Sequence, residues 1–312
     1  MINSSHEGLE ASSWKLVAAL RIATALSGGR SMPVRVVESK DNARLKELRK
    51  ALAAAGRSAQ GRVGRLGIEG PHLLEEALRA GLRVTTIFVA QDAERLLDTL
   101  RVPPETEILR LPAKLLHSAL ATETPQPVAA LVEPPDWSWP HILDARRKGA
   151  TLVVVLAGIQ DPGNLGTILR SAEAFGADGV VSLPGTVSAW NPKAVRASAG
   201  SVFRVPLLAV SERECLEELH EAGVKIFATS VHAAQPAELV DLAGPVALII
   251  GNEGNGVADD LAAKADARIT IPCPGPVESL NAAVAASVLL YEAARQRATV
   301  SGGPAGRRGA RR

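Results

Sequence analysis

The run Leu152-Val153-Val154-Val155-Leu156 decides the fold class. An unbroken apolar stretch of this length suits a strand covered on both faces, as in a parallel sheet. It leads into Asp161-Pro162-Gly163-Asn164-Leu165-Gly166-Thr167-Ile168-Leu169-Arg170-Ser171-Ala172-Glu173, which reads as a turn opening a helix over 165–175. The same alternation continues downstream. Apolar strands are expected at 180–183, 203–210, 224–228, 246–250 and 268–271, with helices at 192–199, 212–222 and 279–296. Strands that alternate with helices make an α/β unit around a parallel sheet.

Working outward, residues 40–55 form a Lys/Arg-rich helix with Leu45, Leu48 and Leu52 on one face. Strands at 63–68, 84–90, 107–111 and 128–132 alternate with helices at 71–80, 92–100 and 112–120, a smaller α/β domain over 33–133. Pro134, Pro135, Trp137, Trp139 and Pro140 stiffen a linker or lid over 134–150. The second domain occupies 151–298. Residues 1–32 read as a disordered extension with Met32 as an alternative start, and 299–312 as a disordered basic tail. No segment has the pattern of a secretion signal or the length of a membrane span. Two cysteines without CxxC spacing give neither a disulfide framework nor a metal site, and a reducing, cytoplasmic compartment fits. The six histidines show no ligand spacing, so no metal is expected.

The chain carries a net charge of +2, which suggests nothing about a polyanion until it is resolved by segment. Residues 33–65 carry nine basic and three acidic side chains, and 301–312 carry four arginines and no acid. Between them, residues 66–145 carry six basic and twelve acidic groups. Arg44, Lys46, Arg57, Arg62 and Arg65 are therefore candidate contacts to nucleic acid phosphates, although a solvated basic helix face explains the same charges. Aromatic residues are only 3% of the chain, which argues against recognition of single strands chiefly by base stacking.

Three segments carry chemistry. In the first, Asn164 and Arg170 lie six residues apart and do not share a helix face. Asn164 suits the helix start. Arg170 is either satisfied by Glu173 at i+3 or held for a phosphate or developing oxyanion. The second, Gly251-Asn252-Glu253-Gly254-Asn255-Gly256, follows a strand. It lacks the Lys-Ser/Thr ending of a phosphate loop and the spacing of a dinucleotide fingerprint, and reads either as a tight turn or as a ligand-facing loop. In the third, Ile271-Pro272-Cys273-Pro274-Gly275-Pro276 fixes an extended path. Ser279 follows at an expected helix start, with Asn281 inside that helix. No GxSxG nucleophile signature occurs.

Taken in order, Asn164-Leu165-Gly166 with Arg170, Gly251-Asn252-Glu253-Gly254 with Gly256, and Ile271-Pro272 with Ser279-Leu280-Asn281 resemble the SpoU (TrmH) family of RNA 2′-O-ribose methyltransferases. The stretch from Ser39 through Glu69-Gly70 to Thr124-Pro125-Gln126 is similar to that family's N-terminal substrate-binding domain, itself like ribosomal protein L30e. The resemblance implies a SPOUT-type catalytic domain with a C-terminal trefoil knot and parallel sheet, preceded by the small L30e-like α/β domain. It implies S-adenosylmethionine bound at Thr229, Gly251, Ile271 and Leu280, and a catalytic set of Asn164, Arg170, Glu253, Ser279 and Asn281. It implies a homodimer acting on RNA, with 23S ribosomal RNA favoured over tRNA because the L30e-like domain accompanies rRNA-directed members. A non-catalytic RNA binder of the same fold is the reading from another class. Pro127 departs from the family's glycine after Gln126, and Cys273 stands where methionine is common.

Overall fold

The computed structural model describes residues 34–53, 64–120, 122–144, 150–232, 234–277 and 279–300. The expected extension over 1–32, Arg57, Arg62 and the tail from 301 lie outside them.

The N-terminal part comprises β1 (Val34–Val36), α1 (Ala43–Ala53), β2 (Leu66–Glu69), α2 (Pro71–Arg79), β3 (Val84–Ala90), β4 (Glu107–Leu111), α3 (Ala113–His117) and β5 (Val128–Val132). Its strands line up as β1-β4-β3-β5-β2. β1, β4 and β3 run parallel, whereas β5 is antiparallel to β3 and β2. Leu45, Leu48 and Leu52 of α1 are buried on one face, as their spacing requires. The helix expected over 92–100 is instead a 3₁₀ segment, Gln91–Leu97, with no buried residue to hold a longer helix in place.

Next come α4 (Trp139–Ile142), β6 (Leu152–Ala157), α5 (Pro162–Ala174), β7 (Gly179–Ser182), α6 (Pro192–Ala197), β8 (Leu207–Ala209) and α7 (Glu212–Glu221). The chain continues through β9 (Lys225–Thr229), β10 (Gln235–Pro236), β11 (Val246–Gly251), α8 (Asp259–Ala262), β12 (Ala267–Thr270) and α9 (Ala282–Val300). All these strands are parallel, in the order β10-β12-β9-β11-β6-β7-β8. β6 is an interior strand, buried from Leu152 to Leu156. Leu152, Val154 and Leu156 face a core shared with α5 and α9, while Val153 and Val155 face a core shared with α4 and α7. That two-sided cover is why the strand shows no polar alternation.

The Pro/Trp segment is a strap rather than a lid. Ile142 of α4 is fully buried, and Trp139 Nε1 donates to Glu214 Oε1 at 3.1 Å. The strand expected over 203–210 shrinks to β8, because Ser201–Phe203 forms a 3₁₀ turn after the left-handed pair Ala199 and Gly200. Thr299 and Val300, expected in the tail, belong to α9, which runs to Val300. Near its end Arg297 donates to four carbonyls, those of Ala150, Thr151, Leu242 and Gly244, at 2.6–3.2 Å. Burial pushes the Arg297 guanidinium below its ordinary pKa.

The two parts share one apolar core. Leu73, Leu74 and Ala77 of α2 belong to the cluster that holds Leu165, Ile168 and Leu169 of α5. Arg204 reinforces the junction, pairing with Glu76 of α2 and Glu173 of α5. A Cβ at Gly200 would lie 2.7 Å from Glu76 Cβ, so the close approach of the two parts demands glycine there.

Candidate functional site

The order of strands reverses between β6 and β11. Ligands of open α/β sheets bind beyond the carboxyl ends of strands at such a switch point. The first two chemical segments of the sequence meet there. After β6, Asp161 caps α5 by accepting from Asn164 N at 2.8 Å, with Pro162 in the first turn. The cap role thus falls to Asp161, and the Asn164 side chain is released for another contact: its Nδ2 donates to Glu253 Oε1 at 3.0 Å.

Glu253 sits in the glycine-rich turn after β11, which doubles back on its own strand. Asn252 and Gly256 exchange backbone hydrogen bonds of 2.9 Å. Asn252 Oδ1 accepts from Gly254 N at 2.8 Å, and its Nδ2 donates to Gly158 O at the end of β6 at 2.8 Å. A Cβ on Gly251 would meet Gly256 C at 2.1 Å, so this fold-back permits only glycine there. Partial burial raises the pKa of Glu253, but donation from Asn164 and from backbone N–H groups, including those of Gln160 and Asp161, outweighs it. The carboxyl is held below its usual range.

The third segment closes the cluster. Asn281 caps α9, its Oδ1 accepting from Ala283 N at 2.9 Å, and its Nδ2 donates to Asn164 Oδ1 at 3.0 Å. This corrects two sequence expectations. Ser279 does not begin the helix, and Asn281 is not inside it. The three small residues that follow give no side-chain cap, so the helix starts at the last residue able to supply one. Ser279 is exposed and makes no hydrogen bond with the described residues.

Asn164, Glu253 and Asn281 are therefore joined side chain to side chain, and Arg170 is not. It lies on the exposed face of α5, paired with no described carboxylate, because Glu173 is taken by Arg204. The i+3 pairing that spacing allowed loses to a partner 31 residues away. Arg204, Glu76 and Asn252 were missed by sequence reasoning. Only Asn252 carried a signal, as an Asn opening a glycine-rich turn.

The residues mapped to the cofactor converge. Thr229, Gly251 and Ile271 stand at the carboxyl ends of β9, β11 and beyond β12, which are neighbours in the sheet. Thr229 Oγ1 donates to Ile249 O at 2.9 Å. Leu280 lies half-buried just before the Asn281 cap. Strand-end backbone and apolar Ile271 and Leu280 fit an adenosyl group, which needs a few directed polar contacts and apolar faces. Of the candidate RNA contacts, Arg44 pairs with Glu47 and Glu107, Arg65 with Glu47, and Lys46 with Asp41. Three of the five candidates are thus already paired within the chain. Among the described residues no group of His, Cys, Asp or Glu could hold a metal ion, and no helix is long and apolar enough to cross a membrane.

Residues 151–291 match the model of the SpoU rRNA Methylase family, and residues 42–130 that of an MRM3-like substrate binding domain. A Bacillus subtilis relative, 23S rRNA (guanosine(2553)-2′-O)-methyltransferase RlmP, is 34% identical over 82% of this chain and 97% of its own. The chain belongs to the SpoU family. Among solved structures, the SpoU methyltransferase AviRb from Streptomyces viridochromogenes, in complex with AdoMet, is similar at TM-score 0.70 and 30% identity. That likeness covers 83% of this chain and 99% of that one. An AdoMet-bound rRNA methyltransferase from Sinorhizobium meliloti gives 0.72 and 30%, over 84% and 98% of the two chains. As a SpoU methyltransferase the chain is an RNA-modifying enzyme whose cofactor is S-adenosylmethionine.

Proposed function

We propose that this SpoU enzyme methylates a ribose 2′-hydroxyl of 23S ribosomal RNA, in the cytoplasm and as a homodimer with a trefoil-knotted C-terminal part. One observation carries the reading. Asn164, Glu253 and Asn281 come from three separate segments and form one hydrogen-bonded unit at the switch point of the sheet. The relative named for 23S rRNA and the match to a substrate binding domain favour rRNA as the substrate.

S-adenosylmethionine supplies a methyl group activated on a sulfonium. The chain's task is then chiefly to position the ribose and stabilise charge. Glu253, kept ionised, orients Asn164, and Asn281 fixes Asn164 from the other side. Thr229, Gly251, Ile271 and Leu280 would hold the cofactor, and Ser279 lies beside them at the mouth of the proline-bound loop. A guanidinium offers donors and no acceptor, so Arg170 is not assigned the role of base. Its role is to stabilise the alkoxide and an adjacent phosphate.

A second protomer has a natural seat. Val284, Val288 and Tyr291 of α9 are 49%, 40% and 56% exposed, an apolar stripe that starts one turn from Asn281 and continues to Thr167 of α5. Pairing through this stripe would place Arg170 and Ser279, which stand apart from the cluster within one protomer, next to the partner's surface. The test is incubation of full-length protein with labelled S-adenosylmethionine and unmodified transcribed 23S rRNA, followed by mapping of the ribose methyl group. Label on a single ribose supports the reading. Cofactor binding without transfer to rRNA overturns it, and transfer to tRNA alone reassigns the substrate.

A further inference from the structure

Where α2 meets α5 there is an open cleft of about 360 Å³. Its floor is charged but internally satisfied. Arg204 gives Nε and Nη2 to Glu173 and Nη1 to Glu76, and Glu76 also accepts from Arg79 at 3.3 Å. Two carboxylates are thus held by two guanidinium groups, and the floor offers a ligand little net charge. Arg170 of α5 and His72 of α2 also line the cleft, both exposed and both without a hydrogen bond to any described residue. They face the same space from different parts of the chain.

The wall beneath them is strained. Ala199, a wall residue, is the one non-glycine residue among those described with positive φ, at 49°. Backbone held in the left-handed region is strained and persists where the surroundings over-determine it. Next to Ala199 a Cβ on Gly200 would lie 2.7 Å from Glu76 Cβ, so the turn that carries Ser201 and Arg204 is fitted to α2. The width of the cleft is therefore set by the Arg204 ion triad and this turn, not by a free hinge.

A cleft whose carboxylates are already neutralised and which is lined by two unspent nitrogen donors, one from α2 and one from α5, suits one anionic oxygen group of modest size. We infer that His72 is a substrate-positioning residue which, with Arg170, grips one backbone phosphodiester of the bound RNA, and that Arg204 sets the spacing of that grip. The inference rests on the proposed action on RNA. It adds a contact from the N-terminal part to a site otherwise built wholly by the C-terminal part. It also assigns RNA contact to a residue outside the basic cluster, in which Arg44 and Arg65 are occupied by Glu47 and Glu107.

The test compares wild type, His72→Ala and His72→Gln as full-length proteins on transcribed 23S rRNA. Since His72 is exposed, all three should melt together and bind S-adenosylmethionine equally in calorimetry. The expected result is an RNA KM raised about tenfold in His72→Ala, the size of one hydrogen bond to a charged group, with kcat changed far less. Gln, which keeps a donor, should recover part of the loss. Neutralising single phosphates as methylphosphonates around the methylated nucleotide gives the second readout. One position should impair the wild type and cost His72→Ala clearly less, since only Arg170 is then left to lose its partner. An unchanged RNA KM in His72→Ala, or penalties that simply add at every phosphate, would overturn the inference while wild-type methylation stands. A wild type inactive on 23S rRNA would instead remove the reading beneath it.

Discussion

Asn281 donates its Nδ2 to Asn164 Oδ1 at 3.0 Å, across 117 residues of chain, while its Oδ1 starts α9. One amide thus does two jobs with its two ends, and the jobs can be separated.

Asn281→Asp keeps an oxygen for the backbone of Ala283 but loses the donor to Asn164 and brings a second carboxylate towards Glu253. Thermal stability should stay near wild type, because the cap survives. Methyl transfer should fall about 100-fold through lost positioning. Single-turnover assays beside melting curves check this, and a parallel loss of stability and activity would refute the separation.

Arg170→Ala removes an exposed side chain, so folding and calorimetric binding of S-adenosylmethionine should be unchanged. Methyl transfer should fall by at least about 100-fold, the scale of losing one transition-state donor. Arg170→Lys restores charge without the planar fork and should recover only part of that loss.

The Arg204 triad gives a pH signature. Donation by Arg204 holds the Glu173 carboxyl below its ordinary range, against the opposing effect of partial burial. Its stabilising contribution is therefore complete above the unfolded value, about 4.3, and fades as pH drops through the lower folded value. The advantage of wild type over Glu173→Gln in urea unfolding should be full at about pH 7 and shrink below about pH 4. An advantage that grew on acidification would reverse the sign and exclude this pairing.

Val288→Glu places a charge in the exposed stripe of α9. Sedimentation should show a dimer for wild type and a monomer for the variant, with far-ultraviolet circular dichroism unchanged. A wild type that sediments as a monomer would remove the stripe from the proposal.

Arg297→Ala uncovers four carbonyls at once and should destabilise the chain by about 3 kcal/mol, as expected when half-buried acceptors lose a charged donor. Chemical denaturation measures it directly.

The contacts within and between chain segments differ in how far sequence exposes them. β6 was readable because burial on both faces leaves only apolar residues, a pattern local to five positions. Likewise α1 was set by Leu45, Leu48 and Leu52. The glycines at 251 and 256 marked a turn, but not its fold-back, since the contact between them depends on the backbone path. The start of α9 was misplaced by two residues because Ser279 and Asn281 both cap well. Only the distant Asn164 selects between them. Arg170 and Glu173 have ideal spacing for a pair, and nothing nearby in sequence announces Arg204, which takes Glu173 away. β10 and α8 went unread because two and four residues give no periodicity.

The amide bridge at Asn281 also bears on time. A chain is made from its N-terminus, and the strands from β6 to β12 can begin to assemble while it is still being synthesised. Asn164 and Glu253 are then present and able to meet, but the oxygen of Asn164 has no donor until residue 281 has emerged. A nascent chain that has folded most of its sheet still lacks this bridge, which forms in a single late event rather than by degrees.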